Sequence, residues 1–255
     1  MSRIIKYIVL DILRNKIVLI YTLLLAILSW SVFSLEDNST KGILTLLNVI
    51  LLTVPLVSVI FSTIYLYNSS EFIELLLSQP MNRSKLWWSL LFGLNISLLL
   101  SFFMGVGIPI IVYTQGDIGF MMILVGLFIT AVFISIAFLS SLLTRDKAKG
   151  IGIAIILWLF FALLFDGMVL FLLFQLADYP IEKMMVGIAA FNPIDMARIL
   201  ILLHLDVSAM LGYTGAIFKD FFGTTLGVFM AFFILFLWIA VPFWISLYRF
   251  KRKDL

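Results

Sequence analysis

The chain is 255 residues long, carries 17 Lys and Arg against 14 Asp and Glu, and is 64% hydrophobic and 12% charged, with a mean hydropathy of +1.20. An ordinary soluble domain has an apolar share of roughly 45–50%, so one is excluded, and Lys and Arg lie in short runs between apolar stretches rather than on the single water-facing surface of a nucleic-acid binder. Cysteine is absent, which rules out disulfides and thiolate metal sites.

In chain order, Ser2 to Asn15 places Ile4, Ile5, Ile8, Val9 and Ile12 at helical spacing opposite Arg3, Asp11 and Arg14, and predicts an amphipathic interfacial helix. Six apolar stretches follow, at 17–33, 43–67, 86–114, 118–143, 151–176 and 225–248. Each is long enough to cross about 30 Å of hydrocarbon at ~1.5 Å per residue. Spans of this length satisfy their backbone only as helices, so the expected fold is all-α: a polytopic membrane protein forming a single transmembrane domain over residues 1–255. The basic N-terminus before the first span resembles a secretory signal, but no small-residue cleavage site follows and five more spans do, so the segment is expected to be retained.

Between spans two and three, the cluster Asn68, Ser69 and Ser70 can cap a helix. Glu71 and Glu74 suit its positive end, and Pro80 stops it. In the third span Gly105, Gly107 and Pro109 predict a kink or a half-helix break. The external segment 177–223 holds two apolar patches, 184–190 and 199–205, separated by Asn192 and Pro193. Neither patch spans a bilayer, and both are expected to be short helices on the outer surface or dipping partly into it.

Positive residues stay on the cytoplasmic side. With the N-terminus inside, the inside segments hold Arg3, Lys6, Arg14, Lys16, Arg83, Lys85, Arg145, Lys147, Lys149, Arg249, Lys251, Arg252 and Lys253, or 13 of the 17 basic residues. Only Lys41, Lys183, Arg198 and Lys219 fall outside. Both termini are therefore expected in the cytoplasm.

Groups for catalysis are scarce. His204 is the sole histidine, and neither a His-Glu-x-x-His zinc motif nor a Gly-x-x-x-x-Gly-Lys-Ser/Thr phosphate loop occurs, so ATP chemistry of that kind has to reside in another chain. Asp166 is the one ionisable residue well inside a span. An intramembrane acid costs about 3 kcal/mol on insertion scales, so Asp166 reads either as a functional group, such as a carrier of a coupling proton, or as a protonated or water-exposed carboxylate near the outer third of its helix.

This ordered layout resembles the ABC-2 type permeases. More narrowly, Glu71 to Arg83, the segment Asn192-Pro193-Ile194-Asp195-Met196-Ala197-Arg198 and the ending Tyr248 to Leu255 look like the NosY branch, the copper-processing permease of nitrous oxide reductase maturation. The resemblance implies two copies forming a twelve-span core in the inner membrane, energised by two cytoplasmic ABC ATPase subunits. It places ATP and Mg in those partners and no cofactor on this chain. It makes Ser70 to Gln79 the coupling helix, with Ser70, Glu71, Phe72, Glu74, Leu75, Leu76, Gln79 and Pro80 at the contact. It also turns Asn192, Pro193, Asp195 and Arg198 toward a periplasmic copper-handling protein.

Met184, Met185, Met196, His204 and Met210 are ligand types that copper(I) accepts, although methionine is equally an ordinary filler of apolar helices. The alternatives are an ABC-2 exporter of a lipid, drug or polysaccharide, and an ion-coupled secondary transporter, which calls for inverted repeats and intramembrane charges.

Overall fold

The computed structural model describes residues 2–36, 39–79, 81–114, 116–176, 182–205 and 224–252, and among them every regular element is helical. The order is α1 (Ser2–Leu13), α2 (Lys16–Leu35), α3 (Ser39–Asn68), α4 (Ser70–Leu77), α5 (Arg83–Phe102), a π-helical turn (Phe103–Gly107) and α6 (Ile108–Tyr113). It continues with α7 (Asp117–Leu143), α8 (Lys147–Leu159), a second π-helical turn (Phe160–Leu164), α9 (Phe165–Gln175), α10 (Glu182–Ala189), α11 (Pro193–His204) and α12 (Thr225–Arg252). Six units are long and apolar enough to cross a membrane: α2, α3, α5 with α6, α7, α8 with α9, and α12. The protein is therefore a polytopic membrane protein, with spans where the apolar stretches place them.

Short polar residues start the helices at the end of the bundle where α1 and the last turn of α12 lie, called here the basic end. The side chains of Asn15, Asn82 and Asp146 accept hydrogen bonds from the first backbone N–H groups of α2, α5 and α8, at 2.9, 2.9 and 2.8 Å. Within the spans, hydroxyls bond back along their own helix. Thr22, Thr53, Ser89, Ser97, Ser101 and Thr130 each donate to the carbonyl four residues earlier, which satisfies them where no water is available.

The central helix is α7, buried along most of its length by α3, α5, α8, α11 and α12. At the basic end the core is aromatic. Trp87 stacks on Phe250 at 4.1 Å between centroids and meets Phe138 edge-on at 4.9 Å, while its indole N–H donates to Ser246 Oγ at 3.0 Å. Trp88 and Phe138 in turn pack on Phe243. The expected break in the third span is a π turn rather than a separation of half-helices: the chain continues as one span from Arg83 to Tyr113, with Pro109 accommodated in the first turn of α6. Helix α1 is present as predicted, and it packs into the bundle, with Ile8 and Ile12 fully buried and Ile8 lying against Gly93 of α5.

Close approach of α5 to α7 depends on Gly126, where a Cβ would overlap the Phe102 ring. Gly152 has no heavy atom within 4 Å of its Cβ position. Gly126→Leu is expected to cost about 1–3 kcal/mol by overpacking, whereas Gly152→Ala leaves stability unchanged or raises it by roughly 0.5–1 kcal/mol through helix propensity. Loss of monodisperse protein on heating in detergent measures both; equal effects would remove the close-packing argument.

Candidate functional site

At the basic end, α4 follows α3 after the single residue Ser69. Its orientation is set by Ile73, which is buried in the aromatic core, and by Phe72, which stacks on Tyr7 of α1 at 5.7 Å. Leu76 and Leu77 are half-buried against the same core. Outward point Glu71, Glu74, Leu75, Ser78 and Gln79, with Leu75 62% exposed. Glu71 and Leu75 fall at four-residue spacing and so share a stripe.

The sequence-predicted contact set therefore divides. Glu71, Glu74, Leu75 and Gln79 form the free face, Phe72 and Leu76 are largely spent on the bundle, and the anchor Ile73 is missing from the predicted set. Burial of alternate apolar positions in so short a run is ambiguous until the neighbouring helices are placed. The helix ends at Leu77, short of Gln79, and Pro80 lies outside the described residues. The expected side-chain cap is not formed either. Ser69 occupies the cap position with no side-chain bond to the helix, and Asn68 instead accepts from Lys147 Nζ at 2.7 Å.

Behind α4 lies a cavity of about 310 Å3. Leu66, Ile73, Trp87 and Phe250 form its apolar floor, and Ser70, Glu74, Thr144 and Arg145 stand at its rim. Helix α4 is thus seated on the α1 side and open on the side of the α7–α8 turn.

At the opposite end, two regions that the sequence presents separately come together. Arg198 of α11 donates through Nη1 to Asp166 Oδ2 of α9 at 3.0 Å and to Asp195 Oδ1 at 3.1 Å. Asn192 caps α11 by accepting from the Ile194 N–H at 3.0 Å. Its amide donates to Asp195 Oδ2 and to the carbonyl of Phe161 in the second π turn, both at 2.9 Å. Trp238 of α12 donates to the Ala190 carbonyl at 3.0 Å and meets Phe161 edge-on. Asp166 is thus ion-paired, with its side chain 38% exposed. Thirty-two residues separate it from Arg198, and only the return of α11 into the bundle joins them.

Helix α11 dips into the bundle rather than resting on it: Ile194, Met196, Ala197 and Ile199 through Leu202 are buried against α7 and α12. Met196 is fully buried while His204 is exposed at the far end of the helix, so this structure does not bring them together as ligands. Among the described residues no group of three or more His, Cys, Asp or Glu could hold a metal. Met210 lies outside the described residues, as do the side chains of Met184 and Met185.

Burial raises the Asp195 carboxyl above its ordinary range, and the neighbouring Asp166 charge pushes the same way, while Arg198 and Asn192 pull it down. A carboxyl raised in the folded state contributes stability below its unfolded value and loses it as pH climbs through the folded one. Thermal stability is therefore expected to fall as pH rises from about 4 into the neutral range, and Asp195→Asn should flatten that slope. Arg198→Leu leaves two acids without their cation and should cost about 1–3 kcal/mol. A parent slope already as flat as that of Asp195→Asn would refute the assignment.

A family model described as ABC-2 family transporter protein matches residues 4–255. No curated protein matches the sequence.

Proposed function

The chain belongs to the ABC-2 transporter family, and from that premise we propose that it is the permease subunit of an ABC transporter whose α4 docks on a separate cytoplasmic ATPase. The observation that carries this reading is the division of α4: Ile73 and Phe72 fasten it to the bundle, while Glu71, Glu74 and Leu75 remain free at the end richest in Lys and Arg. A short helix held rigidly on one side and bare on the other transmits a push, which a loop does not. The basic end is then cytoplasmic, with both termini inside the inner membrane. ATP and Mg sit in the partner, because this chain has no phosphate loop.

A second copy of the chain completes the core. The apolar stretch of span five is only 11% buried and those of spans one and six 22% each, against 72% for span four, which leaves long apolar faces for lipid or a neighbour. The copper-processing branch enters through the resemblance of residues 192–198, and in the fold those residues form the cap and latch of α11, a use compatible with any cargo. A copper-handling periplasmic partner therefore ranks below the class-level reading of an exporter permease. The Asp166–Arg198 pair argues against an ion-coupled carrier built on a free intramembrane acid.

Glu71→Lys with Glu74→Lys is expected to leave expression intact and to lower the ATPase recovered with the tagged chain about tenfold, equivalent to ~1.4 kcal/mol of docking energy. Ile73→Ala should instead lower the stability of the permease itself by about 2–5 kcal/mol. Undiminished ATPase recovery with the double charge reversal would remove α4 as the docking element.

A further inference from the structure

We propose that span five is a strut joining the α3–α4 corner to the external helix α11, with Tyr67 and Gly150 as the positioning pair at its foot. Span five is the least buried of the six, and specific ties hold it at both ends. At the foot the Tyr67 hydroxyl donates to the Thr144 carbonyl at 2.9 Å, and its ring lies on Gly150, where any Cβ would overlap the hydroxyl and ring carbons. Lys147 reaches Asn68 in the same corner, one residue before the cap of α4. Higher up, the Trp158 indole N–H donates to the Leu52 carbonyl at 3.2 Å, so α8 is fastened to α3 at two levels. From the π turn onward the partner changes: Phe161 O, within the turn, is held by Asn192, and Asp166, just past it, by Arg198, both from the α11 region.

The lower half of the span thus moves with the corner that carries α4, and the upper half moves with α11. The π turn begins just after the last tie to α3, at Trp158, and itself carries the first tie to the α11 region, at Phe161. A π turn disrupts the regular helical ladder and admits an outside donor such as the Asn192 amide. Displacement at one end is passed along a single helix to the other, and the coupling is reciprocal because it is a free energy shared by both sites. Its use in transport rests on the permease reading; the coupling itself does not.

The test is amide hydrogen exchange of the chain alone in lipid nanodiscs. Gly150→Ala should speed exchange of Ile194 to Met196 by about fivefold, and Asn192→Ala should do the same for Ala148 to Gly150, the lower end of ordinary coupling energies. Tyr67→Phe, which keeps the ring and loses only the bond to Thr144, should give a smaller change of the same sign. Adding Tyr67→Leu to Gly150→Ala, which empties the seat, should bring the far-end rate back toward the parent. Gly126→Ala disturbs the core without touching span five and should leave both readings unmoved.

Changes confined to the neighbourhood of each substitution would overturn the strut, as would a Gly126→Ala effect of equal size, since the coupling would then run through the core. No ATPase is needed, so this outcome is separate from the permease reading, whose failure would appear as absence of a co-purifying ATPase with the parent chain.

Discussion

Hydrocarbon offers no hydrogen-bond partner, and most of this structure follows from that constraint. Each span closes its backbone bonds within itself, and many of its hydroxyls return to their own helix, as Ser97 does to Gly93 and Thr130 to Gly126. Among the longer polar side chains Asn95 does the same, donating to the Leu91 carbonyl, and most of the others collect at the two ends. At the basic end they cap helices and tie corners, and at the far end Asn192, Asp195, Arg198 and Asp166 satisfy one another. The apolar middle packs by shape, with glycine where two helices come closest.

The same constraint explains what could be read from the sequence. Span positions are legible because length and hydropathy are local properties, and observed boundaries differ from the predicted ones mainly by extension of helices into flanking polar residues. Helix α4 is legible from Glu71, Glu74 and its apolar residues. Its outward face is not, because choosing between Ile73 and Leu75 as the anchor depends on where Trp87 and Tyr7 lie. Prediction of a disturbance in span three is correct because Gly105, Gly107 and Pro109 are visible breakers. The matching π turn of span five, in the run Phe160 to Leu164, contains no Gly or Pro and carries no such mark.

The far-end network was legible only in pieces. Asp166 stood out as an acid in a span and Asn192 to Arg198 as a motif in a connection, but their association depends on α11 folding back into the bundle. The apolar run after Arg198 was too short to announce a span and too apolar to remain in water. Burial against α7 and α12 resolves that conflict, and it carries Arg198 to the half-exposed Asp166 carboxylate. An arginine that would be costly alone in an apolar setting is matched there by Asp166 and Asp195.

The two ends differ in how they could yield to force. The far-end cluster is held by directional, charge-assisted bonds that are strong at one geometry and fall off steeply, so α11 and α9 either stay together or part. Helix α4 is fastened to α1 through Phe72 and borders a cavity lined by Ile73, with Glu74 and Arg145 both at its rim. A load on its exposed face has room to tilt it toward the α7–α8 turn, bringing two opposite charges nearer, while movement toward α1 meets packed aromatic rings. The direction of easiest movement of α4 is therefore toward the turn from which span five rises.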